Sequence, residues 1–348
     1  MAAWSSQIGA EIFARRLLDQ PVVLFRNEDG EVLAFEDKCP HRFAPLRFGK
    51  RTSDGIECGY HGLRFDRRGV CVGNPGGQTP PNTRVRTYPV VQRHQMIWIW
   101  MGDPRRADSA AIPDFSVIPE VPTGACNLGN YLHVRANYLL EIDNLMDLSH
   151  VNFLHNGTLG NDSMRGHRVR ATARPGLVRA DLFMPNTIAQ FGPFAGRRCD
   201  QWNNMIWMAP TSMLLEVGAT APGGPVSQRI EDLAVHIVTP ETARTTHYFY
   251  GSGGEYSDSE AWIADQIREA QTRAFVQEDN PMIEAIDEQM QGADFWSLRP
   301  TLLGNDVGSV RVRRQLEALI AQEQSVRQTP ELIDADLPDN SARERSTP

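Results

Sequence analysis

The chain has 348 residues, 41% hydrophobic and 22% charged, with a formal net charge of −8, which is room for two domains with a sizeable core. The acidic balance argues against nucleic acid and anionic membrane surfaces as partners. No apolar run reaches the roughly 18 residues of a membrane-spanning helix, and five cysteines, an odd number, do not make a disulfide framework.

The opening stretch, "MAAWSSQIGAEIF", lacks the basic-then-apolar layout of a secretory leader. A reducing cytoplasm is therefore expected, where clustered Cys and His signal metal or redox chemistry rather than cross-links. Next, "PVVLFRNEDGEVLAFED" (residues 21–37) reads as a hairpin turning at Asn27–Gly30. Further strand-and-turn units follow in "GIECGYHGLRFDRRGVCVG" (55–73) and "RTYPVVQRHQMIWIWMG" (86–102). These units predict an all-β module over residues 1–115.

A Pro-rich, charged stretch, "GDPRRADSAAIPDFSVIPEVPTG", marks the boundary to a second domain over residues 116–325. There "NYLLEIDNLMDLSHVNFLH" (137–155) has helical periodicity, and Asp143, Asp147, His150 and Leu154 share one face. Residues 165–250 read as strands, among them "IWMAPTSMLLEVGA" and "LAVHIVTP". Residues 258–291 read as a long helix interrupted at Asn280–Pro281, and 326–348 as a disordered tail. The expected fold class is α+β: an N-terminal β module followed by an antiparallel sheet covered by helices.

Between residues 39 and 66 the β module carries Cys39-x-His41, then sixteen residues, then Cys58-x-x-His61. A structural zinc site pairs Cys with Cys and His with His, each pair on its own hairpin or helix, and an all-Cys iron–sulfur cluster needs four thiolates. Two loops that each offer one Cys and one His satisfy a Rieske [2Fe–2S] centre, with one iron on two Cys and the other on two His. Pro40 stiffens the first loop, and Gly59 and Gly62 let the second approach closely. Zinc and coincidence are the alternatives. Cys71, Cys126 and Cys199 are isolated and read as small core residues.

"CPHRFAPL…CGYHGLRFD" resembles the Rieske loops of the Rieske non-haem iron oxygenases, the terminal components of aromatic oxygenase systems. Within them the chain is most similar to the short α-only group that includes vanillate O-demethylase, dicamba monooxygenase and toluenesulfonate monooxygenase. The resemblance covers nearly the whole chain, and it implies that "MAAW" falls inside the family's first strand, which raises the question of a start codon further upstream. It also gives meaning to Asn144-x2-Asp147-x2-His150-x4-His155, which is similar to the family's mononuclear-iron motif. Two imidazoles and one carboxylate make the facial triad of non-haem Fe(II) oxygenases, leaving positions open for O2 and substrate. His150 and His155 are five apart, about 140° round an ideal helix. The helix must therefore unwind near Asn156–Gly157 for both to reach one ion.

The third ligand is expected near Pro281, where a kink turns a carboxylate inward. The family's aspartate lies in a matching Glu-Asp step, which maps to Asp279. Glu284 is the reserve, and Glu278 and Asp287 read as surface charges. Asp147, one helical turn before His150, is placed to accept the ring N–H of that imidazole. The resemblance implies that it bridges to the Rieske His of a neighbouring subunit in a head-to-tail homotrimer, with Asn144 in the same motif.

The sequence lacks a Gly-x-Gly-x-x-Gly loop and a plant-type Cys-x4-Cys-x2-Cys run. Electrons from NAD(P)H must therefore arrive through a separate reductase and any ferredoxin. The resemblance implies a monooxygenase that uses O2 to hydroxylate or O-demethylate a small aromatic substrate, an aromatic acid by preference. N-dealkylation and ring dioxygenation are the alternatives, with a Rieske electron carrier or a non-catalytic aromatic sensor as rival classes. "AVHIVTPETARTTHYFY" resembles the family's pocket strand, where the residue matching His236 binds the substrate carboxylate. Leu215 and Ala270 stand where a relative has an amide and an indole, which implies a wider or less polar cavity.

Overall fold

The computed structural model describes residues 1–118, 127–190, 194–224, 230–253 and 261–328. Cys126, most of the expected tail and part of the interdomain stretch lie outside them.

Three small antiparallel sheets build the N-terminal module: β2 (Phe13–Leu17), β3 (Gln20–Arg26) and β4 (Val32–Glu36); β5 (Lys50–Arg51), β6 (Gly55–Glu57), β7 (Arg64–Asp66) and β8 (Cys71–Gly73); and β1 (Ala3–Trp4) with β9 (Val90–Arg93) and β10 (Met96–Ile99). The expected hairpins are present. Arg26 faces Val32 across the Asn27–Gly30 turn, where Gly30 takes φ +81°. The β9–β10 turn uses His94 and Gln95, both at positive φ, the backbone of a tight hairpin matched to strand twist.

The second domain is a seven-stranded antiparallel sheet in the order β11-β17-β16-β15-β14-β13-β12. Its strands are β11 (Asn127–Val134), β12 (Arg170–Arg174), β13 (Leu177–Ile188), β14 (Arg198–Met208), β15 (Ser212–Thr220), β16 (Ile230–Pro240) and β17 (Thr246–Gly253). Side chains alternate between the two faces. Val235, Ile237 and Phe249 join Trp4, Met96, Phe115 and Ile118 in a core shared with the N-terminal module. The opposite face, with Met205, Trp207, Met213, Val238 and Tyr248, packs under the helices.

Those helices are α1 (Tyr138–Met146), α2 (Ala261–Gln271), a π-helical segment (Thr272–Asp279), α3 (Asn280–Met290) and α4 (Val307–Gln328). α4 has no counterpart among the expected elements. It is locked to α1 by Arg313, whose guanidinium is 5% exposed and donates to both Asp143 oxygens. No helix among the described residues is long and apolar enough to cross a membrane.

Two expected helices differ in form. The helix predicted over 137–155 ends at Met146. Asp147 caps it in an extended conformation, and its carboxylate accepts from Ser149 N and Oγ (2.9 and 2.6 Å), which diverts the backbone from the helix. A short 3-10 turn at His150–Asn152 follows. The long helix is likewise not broken at Pro281. Pro281 sits in the first turn of α3, where its missing N–H costs nothing, and the irregularity lies upstream, in the π segment.

Candidate metal centres

The two N-terminal loops repeat one hydrogen-bond pattern. Cys39 N donates to Ala44 O (2.9 Å) and Phe43 N returns to Cys39 O (2.9 Å). In the second loop Cys58 N donates to Leu63 O (2.8 Å) and Gly62 N returns to Cys58 O (2.9 Å). The fifth residue of each loop is left-handed, Phe43 at φ +60° and Gly62 at +70°. A Cβ on Gly59 would meet Phe48 O at 2.2 Å, so the second loop needs glycine there.

This shared geometry buries both thiols, each 2% exposed, and leaves both imidazoles at the surface with ring centroids 4.6 Å apart. Burial, assisted by the neighbouring Cys58 sulfur, pushes the Cys39 thiol up to about 11. A thiol held protonated in this way ionises when a metal ion coordinates it. The donor set fits a [2Fe–2S] cluster with its imidazole-bound iron outward. Cys71 and Cys199 are buried and free, as expected of core residues.

The second cluster is assembled from distant segments. His150 Nε2 and His155 Nε2 are 3.2 Å apart, and Asp279 approaches them at 3.6 and 3.2 Å. Donors held at right angles about 2.1 Å from one ion lie about 3 Å apart. Among the described residues this is the group of His, Cys, Asp and Glu whose ligand atoms converge well enough to hold a metal. His155 is anchored by its carbonyl, which accepts from Thr158, Leu159 and Gly160 N (2.9 to 3.1 Å). Asp279 is delivered by the π segment, whose wide turns rotate Glu278 and Asp279 inward together.

Residues 2–89 match the Rieske [2Fe–2S] domain family, and residues 134–322 match the vanillate O-demethylase oxygenase C-terminal domain family. The chain belongs to the Rieske oxygenases. It is 37% identical to the oxygenase component of chloroacetanilide N-alkylformylase from Rhizorhabdus wittichii, over 92% of this chain and 94% of that one. Identity to the oxygenase component of dicamba O-demethylase from Stenotrophomonas maltophilia is 36%, over 92% and 96%. The crystal structure of dicamba monooxygenase bound to 3,6-dichlorosalicylic acid superposes with a TM-score of 0.87 at 36% identity, covering 93% and 97% of the two chains. This chain is thus the terminal oxygenase component of a Rieske-type monooxygenase, an oxidoreductase that works with separate partner components.

In this oxygenase Glu278 is no surface charge. Its Oε2 accepts from His155 Nδ1 (2.7 Å), and its Oε1 is held by Thr158 Oγ1 (2.7 Å) and Arg273 Nε (3.2 Å). Consecutive carboxylates therefore grip both nitrogens of one imidazole. Burial alone would depress His155, but the Asp279 and Glu278 carboxylates outweigh it and raise its pKa. Asn144 Nδ2 donates to Asp279 Oδ1 (2.9 Å), orienting the carboxylate. Behind them Glu141 is pushed up to about 8, by burial first and by the Asp279 charge second.

Asp147 departs from expectation. His150 Nδ1 contacts the Asp147 backbone carbonyl, whereas the Asp147 carboxylate is 3.9 Å away and engaged by Ser149. The reserve ligand Glu284 pairs with Arg135 (2.6 Å), and Asp287 with Arg244 (2.6 Å).

Beside the three donors lies a cavity of about 230 Å³; an apolar cavity of about 150 Å³ already holds benzene. Leu215, Val217, Ala219 and Ala270 make an apolar wall, as the Leu215 and Ala270 substitutions imply. His236 also lines it, fully buried. Its Nδ1 is 2.7 Å from Tyr248 Oη, and its Nε2 has no hydrogen-bond partner.

Proposed function

We propose that this oxygenase dealkylates a small aromatic substrate by hydroxylating the alkyl carbon on a ring-bound oxygen or nitrogen. The observation that carries the reading is the convergence of His150, His155 and Asp279 beside a cavity large enough for a substituted ring. Cys39, Cys58, His41 and His61 hold the [2Fe–2S] cluster, and His150, His155 and Asp279 hold the mononuclear iron. When bound, these groups supply electrons and O2 activation, so that one oxygen atom enters the C–H bond and the other leaves as water.

The protein's own residues set the geometry for that chemistry. Asn144 fixes the Asp279 carboxylate, Glu278 fixes the His155 ring, and His236 Nε2 anchors the polar substituent of the ring. The hemiacetal or carbinolamine so formed collapses to an aldehyde and a phenol or amine. Two relatives named for O-demethylation and for N-alkylformylase activity support this one chemistry at either heteroatom.

Electrons come from NAD(P)H through a separate reductase, alone or with a ferredoxin. The chain works in the cytoplasm as a head-to-tail homotrimer, in which the outward imidazoles His41 and His61 of one subunit face Asp147 of the next. The division into two domains near residue 115 belongs to the same reading. The test is anaerobic preparation followed by iron and sulfide analysis, with a surrogate reductase and a panel of methoxy- and N-alkyl-arenes. About three irons and two sulfides per chain are expected, with aldehyde released from at least one substrate. Two irons per chain, or no aldehyde from any arene, would overturn it.

A further inference from the structure

The amide side chains that line the cavity differ in which end they turn to the protein. Asn144 spends its Nδ2 on Asp279 (2.9 Å), and Gln190 spends its Nε2 on Gly160 O (2.8 Å). Gln271, the last residue of α2, lines the same cavity and is held by its other end. Its Oε1 accepts from Nδ2 of Asn127 (2.7 Å), the first residue of the edge strand β11. Both side chains are buried, Asn127 at 1% and Gln271 at 7% exposure.

Arg268 sets the sense of this pair. A guanidinium only donates, so the Asn127 atom that meets Arg268 Nε at 3.2 Å is an oxygen. The same Oδ1 accepts from Asn130 Nδ2 (3.0 Å), and Asp265 holds the guanidinium in place (2.8 Å). With Oδ1 engaged, Asn127 has only Nδ2 to offer, and Gln271 must answer with Oε1. That leaves Gln271 Nε2, a donor with no acceptor among the described residues, for whatever enters the cavity. A buried N–H without an acceptor is unfavourable until a ligand supplies one. A site built this way rejects analogues that lack the matching atom.

Resting on the dealkylase reading of this cavity, we propose that Gln271 is a specificity-determining residue whose Nε2 donates to an acceptor oxygen on the substrate. Asn127 and Arg268 are positioning residues that decide which end of the Gln271 amide faces inward. The probes are 2-methoxyacetophenone, whose carbonyl accepts, and 2-methoxyaniline, whose amine donates. Both are uncharged at neutral pH and carry one methoxy group. Each is titrated calorimetrically into the enzyme carrying both metal centres, and formaldehyde is measured in parallel.

Gln271→Met removes the donor and keeps the length of the side chain. It should weaken the ketone about five- to tenfold and change the aniline less than about twofold. Asn127→Asp leaves only acceptors facing Gln271, so the amide turns round and presents Oε1 to the cavity. It should weaken the ketone by a similar factor and tighten the aniline, a shift that loosened packing would not produce. Gln271→Met decides alone where Asn127→Asp fails to fold. An unchanged ketone-to-aniline ratio in either folded variant, equal weakening of both probes, or no binding of either to the unaltered enzyme at millimolar concentration overturns the inference. Formaldehyde from either probe together with an unchanged ratio overturns it while sustaining the dealkylase reading. The expected shifts in ratio with no aldehyde from any methoxy- or N-alkyl-arene do the reverse.

Discussion

The two Cys/His loops and the three-donor site, each proposed to hold iron, are assembled over opposite chain ranges. The four cluster residues fall within residues 39–61, on two loops with the same backbone hydrogen bonds. Each loop is locally determined, and the β5–β8 hairpins bring the two face to face. The second site joins residues 144–155 to 278–279, more than 120 positions later, through a π segment that local rules do not anticipate. A local site tolerates loss of its neighbours, whereas a site drawn from two segments depends on the side chains that tie those segments together.

The sharpest test of that difference is a reciprocal pair. His155→Ala should abolish turnover, with iron falling from about three to about two per chain while the cluster's visible spectrum persists. His61→Cys should do the opposite, changing the spectrum and lowering the cluster potential because an anionic thiolate replaces an imidazole, while the mononuclear iron stays. Iron analysis and redox titration read both. Simultaneous loss of both centres in either variant would show that the two regions are not independent.

A smaller effect is expected where the distant segments meet. Glu278→Gln weakens the hydrogen bond on His155 Nδ1 and should lower iron affinity or turnover by about 10- to 100-fold. Glu284→Gln, on the same helical stretch but paired with the exposed Arg135, should leave iron content unchanged and cost at most about 1 kcal/mol in unfolding. Iron titration and chemical denaturation of both variants separate the two roles. Equal iron loss in both would remove Glu278 from the site.

Asp147→Asn tests whether the two regions communicate. Its carboxylate caps the Ser149 turn and lies 3.9 Å from His150 Nδ1, and this variant tests the proposed bridge to a neighbouring subunit. Cluster reduction by the reductase should stay fast, while oxidation of the reduced cluster with O2 and substrate slows by at least about tenfold. Normal single-turnover oxidation in rapid-mixing experiments would leave Asp147 as a helix cap alone.

Much of this was legible without coordinates. The Cys/His spacing, the hairpin turns and the paired histidines are short-range patterns, and resemblance to the family carried Asp279. Glu278 was misread because a carboxylate on a polar helix is ordinarily a solvated one; only the π turn makes it inward. The true end of α1 was missed because the apolar periodicity of 137–155 outlasts the helix, which the Asp147–Ser149 turn stops.

The sequence by itself determined the α+β fold class and the matched Cys39/His41 and Cys58/His61 pairs, because these rest on strand patterns and short spacings, and resemblance to the family singled out His150 and His155. Only the tertiary structure decided that Asn144 serves Asp279 and that Glu278 serves His155. It also decided that Asp147 gives its backbone carbonyl rather than its carboxylate to His150. Those facts depend on which strand or helix lies opposite which. Packing of the whole sheet against its helices settles that, and a local pattern does not encode it.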